Sequence, residues 1–320
     1  MNGENNRVRN SLIVVAATVS FLVIALLFYL KPNQISFDQY TANHRYVQNV
    51  KLLIVGDIML DRNVRNIINK NGFESFFAGV RDLIQNADIS IANLEGAFTT
   101  NPSVTASLVS KELIFTFDPA LAPKLSVLGF DIMGLANNHT YNYGAKGLES
   151  TRRYVGTAGM LYYGDPFNRT EISTIIIKNG IRIGVVGFHE FYYTNFNNVF
   201  SEISRLRGEV DVLIVTPHWG VEYQKEPTKK MKEWAHAFID SGADAVVGTH
   251  THIIGDTEIY KGKKIYYSIG NFAFDQYFSK ATSQGLAVIL DIGKESEGIT
   301  IDFTDIPVYI DRTGVRVGSI

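Results

Sequence analysis

Lys51-Leu52-Leu53-Ile54-Val55-Gly56-Asp57 decides how this chain is read: an apolar run of strand length that ends on a glycine and a carboxylate. Such a run suits a strand buried in a mainly parallel sheet, and a polar residue just past its end lies where open α/β sheets hold ligands. The pattern recurs. Apolar runs at 89–92, 132–135, 212–216 and 245–247 end on Asn93-Leu94-Glu95-Gly96, Asn137-Asn138-His139, Pro217-His218-Trp219 and Gly248-Thr249-His250-Thr251-His252. The expectation is an α/β domain in which five loops leave the same edge of one sheet and bring these clusters together.

Helical patterns at 73–85, 119–128, 144–156 and 228–241 supply the crossovers. Asn179-Gly180 marks a hairpin because both residues tolerate positive φ, and Lys261-Gly262-Lys263 marks another. Strands at 286–292 and 299–303 are expected to form a second sheet, giving two packed sheets flanked by helices. Residues 51–320 then make one globular domain.

Upstream, residues 11–30 carry no charge and are long enough to cross a hydrocarbon core of roughly 30 Å. They predict an uncleaved transmembrane signal anchor, with 1–10 as a cytoplasmic N-terminus and 31–50 as a tether. Arg7 and Arg9 before the span favour an extracytoplasmic domain at the cell membrane. The chain has no cysteine, so a metal would take nitrogen and oxygen ligands. A net charge of −2 gives no basic footprint for nucleic acid, and neither a P-loop nor a Gly-x-Ser-x-Gly elbow is present.

His250 and His252, two apart in extended backbone, would turn both imidazoles to one face as ligands of one site; solvated loop histidines would read the same. His218 stands at an equivalent strand end, as ligand or hydrogen-bonded structural residue. Asp57 reads as a ligand or as a helix cap. Glu95 suits a place between two cations, or a turn. Asn138 offers a weak amide ligand, and His139 could protonate a leaving oxygen; an Asn-rich turn is the alternative. Asn93, Trp219, Glu222, Ser268 and Asn271 are substrate-pocket candidates with Tyr223, although aromatic packing and ordinary turns read equally well.

Taken in order, Gly56-Asp57-Ile58-Met59-Leu60, Asn93-Leu94-Glu95-Gly96, Leu135-Ala136-Asn137-Asn138-His139, His218-Trp219-Gly220-Val221-Glu222-Tyr223, Gly248-Thr249-His250-Thr251-His252 and Tyr267-Ser268-Ile269-Gly270-Asn271-Phe272, followed by Phe274-Asp275-Gln276, resemble the CapA/PgsA family. These are capsule and poly-γ-glutamate biosynthesis proteins of the calcineurin-like metallophosphoesterase group. The resemblance implies a four-layer α/β/β/α sandwich with two divalent metal ions, Mn, Fe or Zn. It implies Glu95 as bridging carboxylate, Asp57 and His252 on one metal, Asn138, His218 and His250 on the other, and His139 as general acid. Met59 replaces the histidine of the wider group's Asp-x-His, Asn142 replaces a common Asp, and Thr251 a common Pro. The implied functions are phosphoester hydrolysis at the cell envelope, a non-catalytic accessory role binding the anionic polymer beside synthase or export subunits, or hydrolysis of the polymer amide.

Overall fold

The computed structural model describes residues 48–106, 112–192 and 196–318. The span expected at 11–30 lies outside them, as does the tether up to residue 47; among the described residues no helix is long and apolar enough to cross a membrane. The first strand starts at Gln48, so the end of the expected tether belongs to the sheet.

Two sheets carry the domain. In the first, β1 (Gln48–Ile58), β2 (Ile89–Leu94), β5 (Ile132–Gly134) and β6 (Leu161–Tyr163) run parallel in that order. Beyond β1 the sheet continues antiparallel through β14 (Gln284–Glu295), β15 (Gly298–Asp311) and β16 (Gly314–Val317). The C-terminal strands therefore extend the first sheet instead of founding a second. A small pair, β3 (Ala97–Phe98) and β4 (Thr116–Phe117), stands apart.

The second sheet has β8 (Ile181–His189), β9 (Val212–His218), β10 (Ala245–Val247) and β12 (Lys263–Tyr266) in parallel, edged by antiparallel β7 (Ser173–Lys178) and β11 (Thr257–Tyr260). Both expected hairpins are here. Asn179 and Gly180 turn at φ 49° and 76°, and Lys261 and Gly262 at 49° and 77°.

Apolar side chains make three layers. Leu52, Ile54 and Ile91 of the first sheet meet Ile183, Val185 and Ile214 of the second. The outer face of the first sheet packs on α1 (Arg62–Asn71), α2 (Phe73–Phe76), α3 (Arg81–Gln85), α4 (Leu121–Leu128) and α5 (Gly144–Thr157). The outer face of the second packs on α6 (Phe196–Arg207) and α7 (Lys229–Asp240), the latter capped by Thr228, whose hydroxyl accepts from Met231 N–H. Each fully buried aliphatic side chain is worth roughly 1.5–3 kcal/mol, so the layer shared by both sheets fixes their relative placement.

Two sequence readings change. The pattern at 73–85 is broken into α2 and α3, because Gly79 lies against the backbone of Arg316 and accepts from Val317 N–H. The five polar clusters leave two sheets, not one: β1, β2 and β5 belong to the first, β9 and β10 to the second. They still meet, because both sheets present the carboxyl ends of their parallel strands to one place.

Candidate metal centre

The crossing of the chain from the second sheet to the first builds the floor of the site. After β12 the backbone passes over β1 and pairs with its end as β13 (Asn271–Ala273), with Asp57 opposite Asn271. A Cβ at Gly56 would fall 1.8 Å from the carbonyl oxygen of Gly270, so only glycine allows this approach. The glycine before the carboxylate is thus what brings the two sheets' loops together.

Asp57 is fully buried. Its Oδ1 accepts from Asn93 Nδ2 at 2.7 Å and lies 4.0 Å from His218 Nδ1, and its Oδ2 lies 3.4 Å from both His252 Nδ1 and the His250 amide. Nε2 of His218 stands 2.8 Å from Asn138 Oδ1 and 3.1 Å from Nδ1 of His250, so three ligand-type atoms face one another. Ligand atoms of Asp57, Glu95 and His218 can be chosen within 4.8 Å of each other. Glu95 is fully buried, and neither of its carboxylate oxygens has a hydrogen-bond partner. Its nearest basic neighbours are His252 Nε2 at 3.7 Å and His139 Nε2 at 3.8 Å, beyond hydrogen-bond length.

His250 and His252 are not extended: their φ values are 92° and 59°, a left-handed conformation that non-glycine residues rarely adopt. The reason is functional geometry, for the two rings serve different neighbours. His250 faces His218, while His252 faces Asp57 and Glu95. An extended pair would have sent both the same way.

Charge follows this division. Burial, with the neighbouring histidines second, holds His250 down at about 2 and His218 well below the usual range. Burial also pulls on His252, but the Glu95 and Asp57 carboxylates outweigh it and hold that imidazole up at about 9. Glu95 is pushed well above the ordinary carboxylate range by burial and then by the charge of Asp57. A buried carboxylate with two unpaired oxygens, whose nearest imidazoles stay beyond hydrogen-bond length, is costly alone and suits cations. The residues therefore fit the divalent ions that the resemblance implies.

His139 is buried, its ring tilted against Phe115 at 4.3 Å, and held down at about 4 by burial, which outweighs its bond to Asn142. Asn142 Oδ1 accepts from Phe115 N–H at 2.8 Å and faces His139 Nδ1 at 3.0 Å. An oxygen fixed as acceptor places a hydrogen on Nδ1 and leaves Nε2 open toward Glu95. Asn142 thus orients His139 without a carboxylate. Asn137, fully buried, ties the whole floor: its Oδ1 accepts from His139 N, Thr140 N and Thr140 Oγ1, and its Nδ2 donates to Asn93 Oδ1 and Leu94 O.

The pocket candidates separate. Trp219 is fully buried in the outer core of the second sheet and donates to Tyr267 O, so it lines no substrate pocket. Ser268 spends its hydroxyl on Gly270 N–H, as a turn residue. Asn93 holds Asp57, and Asn271 Oδ1 pairs with His252 Nδ1 at 2.9 Å; both position candidate ligand side chains. Glu222 remains exposed at the mouth beside Tyr223. Met59 is turned into the core, where its sulfur accepts from Asp61 N–H.

Sequence reading missed Phe191 and His189. Phe191 is exposed with its ring 4.1 Å from His250, and His189 is buried opposite His218 in the strand register. Their signal was present, since β8 is another apolar run ending on Phe188-His189.

A family model described as bacterial capsule synthesis protein PGA_cap matches residues 51–276. The chain is 29% identical over 263 residues to a capsule biosynthesis protein CapA of Bacillus anthracis, covering 76% of this chain and 64% of that protein. It is 28% identical over 249 residues to a PGA biosynthesis protein CapA of Bacillus subtilis (strain 168), covering 72% and 65%. The chain thus spans about two thirds or slightly less of the length of these relatives, at 64% and 65%. A crystal structure described as a novel phosphatase, from Mycoplasma pneumoniae, aligns with a TM-score of 0.51 at 16% identity, over 82% of this chain and 94% of that one. The last likeness is one of fold.

Proposed function

The chain belongs to the bacterial capsule synthesis protein family, CapA/PgsA, and we propose that its domain is a metal-dependent phosphoester hydrolase working on the envelope side of the membrane in capsule or poly-γ-glutamate production. The observation that carries this reading is Glu95: a fully buried carboxylate with both oxygens unpartnered, within ligand reach of Asp57 and His218 and beside His252. Divalent ions held there would polarise a phosphoryl oxygen and acidify a water. In this reading Asn138, His218 and His250 would hold one ion and Asp57 and His252 the other, with Glu95 available to either. His139, its Nδ1–H committed to Asn142, would take on Nε2 the proton that the attacking water gives up and return it to the leaving oxygen. The proposal includes an anchor at 11–30 and contact with polymer synthase or export subunits.

The test is turnover of an aryl phosphodiester by the Mn-loaded protein. His250→Ala combined with His252→Ala should abolish it, and unchanged turnover would sink the site.

A second reading has support from Met59, which is committed to the core and leaves the Asp57 side one ligand short of the wider group. In it the domain is an accessory subunit that binds the anionic polymer. The same double variant would then still support polymer production in cells.

A further inference from the structure

We propose that Arg62 is the oxyanion-gripping residue at the mouth of this site, receiving a phosphoryl or carboxylate group of the substrate. The idea deepens the proposed function and rests on its placement of the reacting centre.

Arg62 follows Asp57 by five residues and opens α1 with φ 52°, a left-handed conformation unusual for a long side chain. The strain is held in place by its neighbour. Asp61 is fully buried and accepts from Arg65, Ser103, Thr105 and the Thr116 amide. The guanidinium carbon then lies 5.9 Å from the ring of Phe115, the ring that packs against His139. Its charge is also felt by Tyr223, whose ring is 6.2 Å from His252. Arg62 is therefore linked to both histidines that approach Glu95, to His139 through Phe115 and to the His252 side through Tyr223.

Asp275 sets its direction. Asp275 Oδ2 lies 3.3 Å from Arg62 Nε and accepts from Asn63 N–H at 3.1 Å. Among the described residues the terminal guanidinium nitrogens make no hydrogen bond, and the side chain is 30% exposed. The residues flanking Asp275 brace the same region. The Phe274 ring is 4.7 Å from His252, while the Gln276 amide accepts from Asn271 Nδ2 and donates to Tyr223 OH. Three consecutive residues thus fix His252, Arg62 and Tyr223 relative to one another.

The chemistry asks for such a group. Asp57, Glu95 and exposed Glu222 repel an anionic substrate, and a guanidinium fork matches the paired oxygens of phosphate or carboxylate. An ion pair with Asp275 alone contributes little at this exposure and gives no reason to hold strained backbone at the rim.

The test is calorimetric titration of the full-length protein, metal-free and Mn-loaded, with inorganic phosphate and with a short oligomer of γ-linked glutamate. Arg62→Ala should weaken binding of at least one probe tenfold or more with metal content unchanged, and Arg62→Lys should restore only part of it. Loss confined to phosphate identifies a phosphoryl group, and loss confined to the oligomer a carboxylate. Should Arg62→Ala not fold, Arg62→Gln carries the same expectation. Variants that bind both probes like wild type overturn the proposal, as does a wild type that binds neither. Arg62-dependent binding by a protein that takes up no metal would keep this proposal and remove the proposed function.

Discussion

Around Glu95 the candidate ligands fall into two contact sets, His218 with His250 and Asn138, and Asp57 with His252. The first group lies within 3.1 Å contacts, and burial keeps its imidazoles neutral, so it is ready for a cation without releasing protons. The second is a carboxylate cluster that has recruited a proton onto His252 and contains no counterpart to the ligand lost at Met59. On the proposed two-ion reading, such a frame would hold its ions unequally: the imidazole half tightly, the carboxylate half weakly and with pH dependence.

The strongest way to break this comparison is to remove the imidazole half. His218→Ala with His250→Ala should lower affinity for the tighter ion by at least about a hundredfold and abolish phosphodiester turnover, as measured by equilibrium dialysis and assay. His252→Ala alone should spare that ion.

A smaller perturbation sharpens it. Thr249 Oγ1 pairs with His218 Nδ1 at 2.9 Å, and Asn271 Oδ1 with His252 Nδ1 at 2.9 Å. Thr249→Val and Asn271→Leu should each cost about 10- to 100-fold in affinity, each for its own ion only. Equal effects on both ions would merge the halves into one site.

Both halves were legible in the sequence as residues, but not as geometry. Most strands, and the polar clusters that close the parallel ones, were readable because buried runs and the polar residues ending them are local signals, as in 51–57 and 245–252. What could not be read was which sheet each strand joins, since β1 and β9 look alike as apolar runs and only long-range pairing separates them. The left-handed backbone of His250 and His252 was also hidden, because site geometry overrides local preference there. The helix α1 was missed although Val64, Ile67 and Ile68 follow Asp61 at helical spacing. Trp219 misled because an indole after a strand reads the same whether it lines a pocket or fills a core.

Proton linkage separates the halves more gently. His252 must lose a proton to ligate, and its metal-free form is held up at about 9. Uptake of the weaker ion should therefore rise with pH from 6.5 toward 9, by up to about tenfold per unit, and more steeply than uptake of the tighter ion, which shares only the Glu95 proton. The same shift predicts that the metal-free protein is favoured by His252 below its unfolded value near 6.5, and loses that stability as pH climbs through about 9. Thermal melting at both ends of this window checks the sign.

The smallest expected effect concerns Glu95. Its raised pKa means that the ionised form burdens the metal-free fold above the ordinary carboxylate range. Glu95→Gln should raise the metal-free melting temperature by a few degrees at pH 7.5 while weakening uptake of both ions. A lowered melting temperature would mean that Glu95 serves the fold instead of the ions.

The most direct measurement is metal content by elemental analysis of the full-length protein, purified without chelator or affinity histidines, loaded with Mn or Zn and dialysed in steps. The account predicts about two ions per chain, one leaving early and one late, with the late one missing from His218→Ala combined with His250→Ala. No bound ion, or two ions that leave together, would contradict it.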